Sequence, residues 1–407
     1  MSSVFKFLLV PDNPGGMIFH GIVSGIVLLL VVCMIVVLVN VTVTPALPGW
    51  FQNYDATQGA RQSLDAYLSS IGKTPDNVMI TDLQVATANY GGIFTESKQP
   101  VIPEMTPWHG RVSGDAVRLQ VEAGARAIIF DIWPNPADFT QPIVASMIDQ
   151  DVTGTTLAWW KGSGLNNYVS RYSNWHKLTR NVEPAAPLIK TAVTTAFNGG
   201  PQAHDPFFLI LNLHGRLPLS YLDSFGLSLI DALQGKQLSS GNMVSATKTA
   251  AQNLCSVPYS SIKNKAFVIV NPDVPEGMTR EAFNAVFYKS KLAEATNLLT
   301  TTERPTVFKL TDLSTITSAK NPDCVGSMAA PVSLPQISLC CVQPSIGERF
   351  TDNDSQYKKT SYSDCMGTGA QFVGVNLFGG DSTGTDKILQ SWGDHANFGK
   401  FSFKRKA

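Results

Sequence analysis

Arg126-Ala-Ile-Ile-Phe-Asp-Ile-Trp133 is the stretch that decides the fold. Its apolar residues run on without the polar alternation of a strand that meets water on one side. A run of this kind is buried on both faces, the habit of a parallel strand covered by helices. Phe207-Phe-Leu-Ile-Leu-Asn-Leu213 and Lys265-Ala-Phe-Val-Ile-Val270 repeat the pattern. Working outward, strands are expected at Val78–Val85, Pro142–Ile148, Thr306–Leu310, Ile337–Val342 and Ala370–Leu377. Helical spacing fills gaps between them. Ser113 caps a helix running to Glu122, Leu188 to Phe197 form an apolar stripe before Gly199-Gly200, and Leu219–Leu233 follows. A long helix is expected over Met278–Leu299, capped near Thr279. Eight strands alternating with helices predict an α/β protein, a (β/α)8 TIM-type barrel. The alternative is an open doubly wound sheet, which would want a glycine-rich phosphate turn; the chain has no G-x-G-x-x-G.

The rest of the chain sets the context. Of 407 residues, 44% are apolar and 15% charged, which excludes a disordered chain. Thirty-one basic residues balance 31 acidic ones, so no global field draws nucleic acid, and none is expected as a partner. From Ile18 to Val39 the chain carries no charged residue. These 22 residues rise roughly 33 Å as a helix, against a hydrocarbon core of ~30 Å. A cleaved signal has an apolar region of only ~7–15 residues. We therefore read residues 1–16 as a leader, 17–40 as one transmembrane helix, 41–60 as a linker and 61–407 as a single domain. Lys6 precedes the span and the next cation after it is Arg61, so the positive-inside rule places the domain on the non-cytosolic side. The lipid bilayer is thus a partner through residues 18–39. Beyond Cys33, the cysteines Cys255, Cys324, Cys340, Cys341 and Cys365 are odd in number and lack metal-ligand spacing; free buried thiols are expected, with a Cys324–Cys365 bridge as the alternative.

Five stretches resemble one family in its own order. Gly124-Ala-Arg-Ala-Ile-Ile-Phe-Asp-Ile-Trp-Pro-Asn135 resembles the G-C-R-x-x-E-L-D-x-W-D-G strand of phosphoinositide-specific phospholipase C. Ile210-Leu-Asn-Leu213 resembles its I-L-S-L strand, and Lys263-Asn-Lys-Ala-Phe-Val-Ile269 its K-G-K-I-L-I-K element. Gly369-Ala-Gln-Phe-Val-Gly-Val-Asn-Leu-Phe378 is similar to G-C-Q-M-V-A-L-N-F-Q, and Gly399–Lys404 to the closing G-Y-V-L-K. The resemblance spans about residues 77 to 404 and implies a TIM-type barrel. It also implies phosphodiester cleavage by a histidine base and a histidine acid, with calcium held by carboxylates in the eukaryotic members.

The residues depart from that chemistry. Ala88 stands where the first histidine belongs and Ser146 where the second does. The E-L-D pair becomes Ile129 and Asp131, and the carboxylate after I-L-S-L becomes His214. Alanine moves no proton and isoleucine binds no metal, so neither calcium nor another metal or cofactor is expected. The expectation is a catalytically inactive barrel with a structural or binding role at a membrane, as in an envelope- or capsid-associated protein with assembly partners. Two alternatives stay open. One is an active phosphoric diester hydrolase with a rearranged site built from His109, Asp131 and His214. The other is a receptor for a phospholipid headgroup or sugar phosphate, using Asn89, Asp131 and His214. Lys359, Ser361 and Ser363 would then match the family's headgroup-binding R-x-x-S-S-N loop, with lysine for arginine.

Overall fold

A computed structural model describes residues 23–31, 61–79, 82–95, 110–135, 138, 140–145, 147–149, 175–177, 181–215, 217–238, 258–273, 278–299, 308–312, 339–343, 370–375 and 401–405. The chain divides into two compact units, 1–54 and 55–407. In the first, residues 23–31 are helical and Ile26 to Leu30 are more than half exposed. Among the described residues no helix is long and apolar enough to cross a membrane; the expected span 18–39 runs past the described stretch on both sides.

The second unit opens with α1 (Leu64–Ser70), where the Ser63 hydroxyl accepts the Ala66 N–H. Next come β1 (Leu83–Ala88), the hairpin β2 (Ile93–Thr95) and β3 (Gly110–Val112), α2 (Gly114–Glu122) and β4 (Ala127–Pro134). Short antiparallel pieces follow: β5 (Pro142–Val144), β6 (Met147–Asp149), β7 (Trp175–Lys177) and β8 (Glu183–Pro184). The chain resumes with α3 (Ala185–Phe197), β9 (Phe207–Leu213), α4 (Leu219–Ala232), α5 (Tyr259–Ile262) and β10 (Ala266–Pro272). It ends with α6 (Arg280–Phe287), α7 (Lys291–Ala295), β11 (Leu298–Leu299), β12 (Phe308–Asp312), β13 (Leu339–Gln343), β14 (Phe372–Val375) and β15 (Phe403–Arg405).

Eight of these strands pair in the order β11-β10-β9-β4-β1-β14-β13-β12, and every pairing along that path is parallel. Each strand thus neighbours the next parallel strand in sequence. Only the seam from β11 to β12 is unpaired among the described residues. The sheet curls strongly. Three strand spacings separate β9 from β14, roughly 14 Å in a flat sheet. Yet the rings of Phe208 and Phe372 lie 5.3 Å apart, edge to face.

Alternate residues carry the enclosed face, as a period of two requires. Leu83 and Val85, Ala127 and Ile129, Phe208 and Ile210, and Phe267 and Ile269 form one apolar cluster with Leu298, Cys341 and Phe372. Burial pushes the free Cys341 thiol well above its ordinary pKa. The N-terminal end of this interior is sealed by α1, whose Leu64 and Leu68 join the cluster. Asp205 holds that helix by accepting the Leu64 N–H on both carboxylate oxygens, at 3.0 and 3.1 Å. Burial pushes the Asp205 carboxyl up to about 6, against the pull of nearby Arg126.

Three expectations need correction. Pro142–Ile148 is no strand of the parallel path; β5 turns back antiparallel onto the end of β4, Val144 opposite Ile132. Met278–Leu299 is not one helix. The Ser290 hydroxyl caps a new helix at the Ala293 N–H, and Leu298–Leu299 is the strand beside β10. The first strand begins at Leu83 rather than Val78, because the Asp82 carboxylate turns the chain by accepting the Met79 N–H.

One glycine holds the two chain ends of this unit together. Gly124 sits at φ +106°, and a Cβ there would fall 2.2 Å from Cδ of Arg61. Arg61 in turn donates to the carbonyls of Ala123 and Phe401. Backbone strain at a positive φ costs ~1–3 kcal/mol. We expect Gly124→Ala to lower stability by about 2 kcal/mol in urea unfolding; an unchanged midpoint would refute this role for Arg61 packing.

Candidate functional site

The apolar rows turn polar at the carboxyl ends of the strands. Continuing by twos, Ile129 leads to Asp131 and Trp133, Ile210 to Asn212 and His214, Ile269 to Asn271 and Asp273, and Val85 to Thr87 and Asn89. The register sets Asp131 opposite Asn212 and Asn212 opposite Asn271, so three polar side chains stand in one row across β4, β9 and β10. The carboxyl end of the strands is where barrel proteins place their chemistry.

A hydrogen-bond chain links the row. Asn271 Nδ2 donates to Asn212 Oδ1 at 3.1 Å, and Asn212 Nδ2 donates to Asp131 Oδ1 at 3.0 Å. His214 spans two carboxylates: Nε2 lies 3.1 Å from Asp131 Oδ1 and Nδ1 lies 2.9 Å from Asp273 Oδ2. Asp131 and His214 are buried, 4% and 8% exposed, whereas the Asp273 side chain is 54% exposed. The Trp133 ring stacks on the imidazole with centroids 4.3 Å apart, and its Nε1–H is committed to the Ala145 carbonyl.

The charge state follows from these partners. Burial works against an imidazolium and is the largest single influence. The hydrogen bonds and charges of Asp131 and Asp273 together outweigh it, raising the His214 pKa to about 9. At neutral pH both ring nitrogens therefore carry protons, and each proton points at a carboxylate. No lone pair remains to accept one from a substrate.

Of the sequence candidates, Asp131 and His214 come together directly. Asn89 follows β1 on the same face, 2% exposed, and its Cβ lies where Gly374 leaves room. Ala88 is fully buried at the end of β1. His109, Ser146, Lys359, Ser361 and Ser363 lie outside the described residues. Among the described residues no group of three or more His, Cys, Asp or Glu side chains is placed to hold a metal ion. Asn212, Asn271, Asp273 and Trp133 escaped the sequence reading. Asn271 and Asp273 follow Val270 directly, so the rule that singled out His214, a polar residue at a strand's carboxyl end, applies to them equally.

In structure the chain is similar to phosphoinositide-specific phospholipases C. PLC21 from L. pealei matches at 11% identity and a TM-score of 0.48, over 81% of this chain and 37% of that one. The calcium-dependent phosphoinositol-specific phospholipase C of Pseudomonas sp. matches at 10% identity and 0.45, over 84% and 100%. The calcium-dependent enzyme from Streptomyces antibioticus matches at 10% and 0.34, over 70% and 78%. The chain spans little more than a third of the length of the PLC21 chains it matches. No family model and no curated protein matches the sequence. What the site does has to come from its own side chains.

Proposed function

We propose that this chain is a membrane-anchored barrel that does not cleave phosphodiesters and serves a structural or binding role at a bilayer. In this reading β11 and β12 close the ring, and residues 17–40 cross the membrane as one helix. The observation that carries the loss of catalysis is the clamp on His214. A general base must be unprotonated near the working pH and must face the proton it takes. His214 is protonated and faces Asp131 and Asp273. Ala88, at the position the resemblance gives to a base, has no acid–base group at all. His214 stands between two acidic side chains, Asp131 and Asp273, surroundings that disfavour a phosphate.

A second reading keeps one observation in its favour. Part-exposed Asn271 stands beside the exposed half of Asp273, an amide next to a carboxylate, a pattern suited to a hydroxyl-bearing ligand. Such a receptor would show saturable heat on titration with inositol phosphate. The deciding experiment is hydrolysis of phosphatidylinositol by the full chain, with and without calcium. We expect no product above buffer in either case; turnover that disappears in His214→Ala would overturn the proposal.

A further inference from the structure

The resemblance to phosphoinositide-specific phospholipase C implies a calcium ion at the carboxyl end of the strands, and the residues present do not fit one. Calcium gathers about six to eight oxygens round a single point. Here the point between the acidic oxygens is filled by a ring: His214 Nε2 lies 3.1 Å from Asp131 Oδ1 and Nδ1 lies 2.9 Å from Asp273 Oδ2. The neighbouring Asn212 Oδ1 already accepts from Asn271 Nδ2. A neutral imidazole has one N–H and one lone pair. Set between two acidic oxygens at these distances, its lone pair would face one of them. Two N–H groups, those of the imidazolium, satisfy both sides at once. The stacking agrees, because indole is the best aromatic partner for a cation. Trp133 lies on the ring with centroids 4.3 Å apart and planes 23° from parallel, and its own Nε1–H is held by the Ala145 carbonyl. Backbone bonds fix the partners as well. The His214 N–H donates to the Ile132 carbonyl at 2.9 Å, and the Asp273 N–H to the Leu213 carbonyl at 2.7 Å. The ring thus joins side chains 83 and 59 residues away, as a bound ion would.

We propose that the His214 ring is a built-in cation: it fills the place between Asp131 and Asp273 that a divalent metal ion would otherwise take, and it keeps such ions out. This deepens the reading of an inactive barrel and rests on it. The acidic pair at the mouth is then countered by the chain itself, whatever the supply of calcium. Removing the ring leaves a site for a small cation, organic or metallic, held by the same two acidic side chains.

The test follows the thermal midpoint of the full chain in mildly acidic buffer, where free imidazole is mostly a cation. The parent should respond neither to millimolar calcium nor to imidazole. His214→Gly should melt roughly 8 °C lower, having left a buried acidic side chain without its cation. Imidazole should restore about half of that loss by binding the folded state, and calcium should also raise the variant's midpoint. Pyrazole, a neutral ring of the same size, should not. A parent that calcium stabilises would overturn the proposal. So would rescue by pyrazole equal to that by imidazole, the mark of a ring that only fills space, or a variant that calcium leaves unmoved. Should His214→Gly not fold, His214→Lys and His214→Gln replace it: the lysine variant should melt well above the glutamine one, and equal midpoints would count against a cation. Hydrolysis of phosphatidylinositol is scored apart. Turnover by a parent indifferent to calcium sinks the inactive reading alone, while a midpoint raised by calcium without turnover sinks the built-in cation alone.

Discussion

Replacing Gly226 with alanine is expected to destabilise the protein by roughly 3 kcal/mol, although the same exchange in an exposed helix would stabilise it by ~1 kcal/mol. Gly226 lies on the buried side of α4, between Phe225 and Leu229. A Cβ at this position would fall 2.1 Å from the Leu292 nitrogen and 2.2 Å from the Lys291 carbonyl carbon. These are backbone atoms at the first turn of α7, so no side-chain rotation relieves the clash. The helices must part. Doing so pulls the Lys291 N–H from the Asp223 carboxylate, where it donates at 2.8 Å, and opens the contact around fully buried Leu292 and Ala295. β11 follows α7 within three residues, so the disturbance reaches the edge of the described sheet. Urea unfolding of Gly226→Ala, with Leu227→Ala as control, checks this. Leu227 is 59% exposed and its variant should stay within about 0.5 kcal/mol of the parent. A Gly226→Ala midpoint equal to or above the parent's would show that α4 and α7 do not press together here.

This contact also shows where the sequence stops being legible. The strands that pack on both faces, β4 and β9, stand out because their apolar runs are long and unbroken. Helix α2 was legible from Ser113, whose hydroxyl accepts the Asp115 N–H. The 278–299 region misleads because its apolar residues keep helical spacing through Ser290. The break is set by the Ser290 cap and by Gly226 on another helix, a tertiary cause that no local window contains. β11 is two residues long, too short for periodicity to register. Pro142–Ile148 misleads in the opposite sense. It is apolar because Ile143 packs with Trp133 and Ala145 in a small cluster, where β5 branches antiparallel off β4 instead of joining the parallel path. At the site, Asp131 and His214 were legible as polar residues ending apolar strands. The clamp was not, since Asp273 lies 59 residues from His214 and only the β9–β10 pairing brings them together.

That clamp makes stability depend on pH in a defined direction. The His214 pKa rises from an ordinary 6.5 to about 9 in the folded protein. A group whose folded pKa is raised stabilises the fold fully below its unfolded value and loses that contribution as pH climbs through the folded one. Each pKa unit corresponds to 1.36 kcal/mol, so the full contribution is about 3 kcal/mol, of which about 2 kcal/mol should vanish between pH 6.5 and 8.5. Stopping at pH 8.5 matters, because Cys341 adds a slope of the same sign beyond it: its thiol ionises more readily unfolded than buried. His214→Gln should abolish the slope in this window. It should also cost ~3–5 kcal/mol at pH 6.5, because the Asp131 carboxylate, 4% exposed, would lose its cation and keep only Asn212 as the hydrogen-bond donor described above. The double variant Asp131→Asn, His214→Gln should recover part of that loss, since an amide at 131 leaves no buried charge unpaired. A parent protein whose unfolding free energy is flat from pH 6.5 to 8.5 would mean that the imidazole is neutral there. A neutral His214 would hold one ring nitrogen without a proton, and the argument that it cannot serve as a base would fall with the clamp.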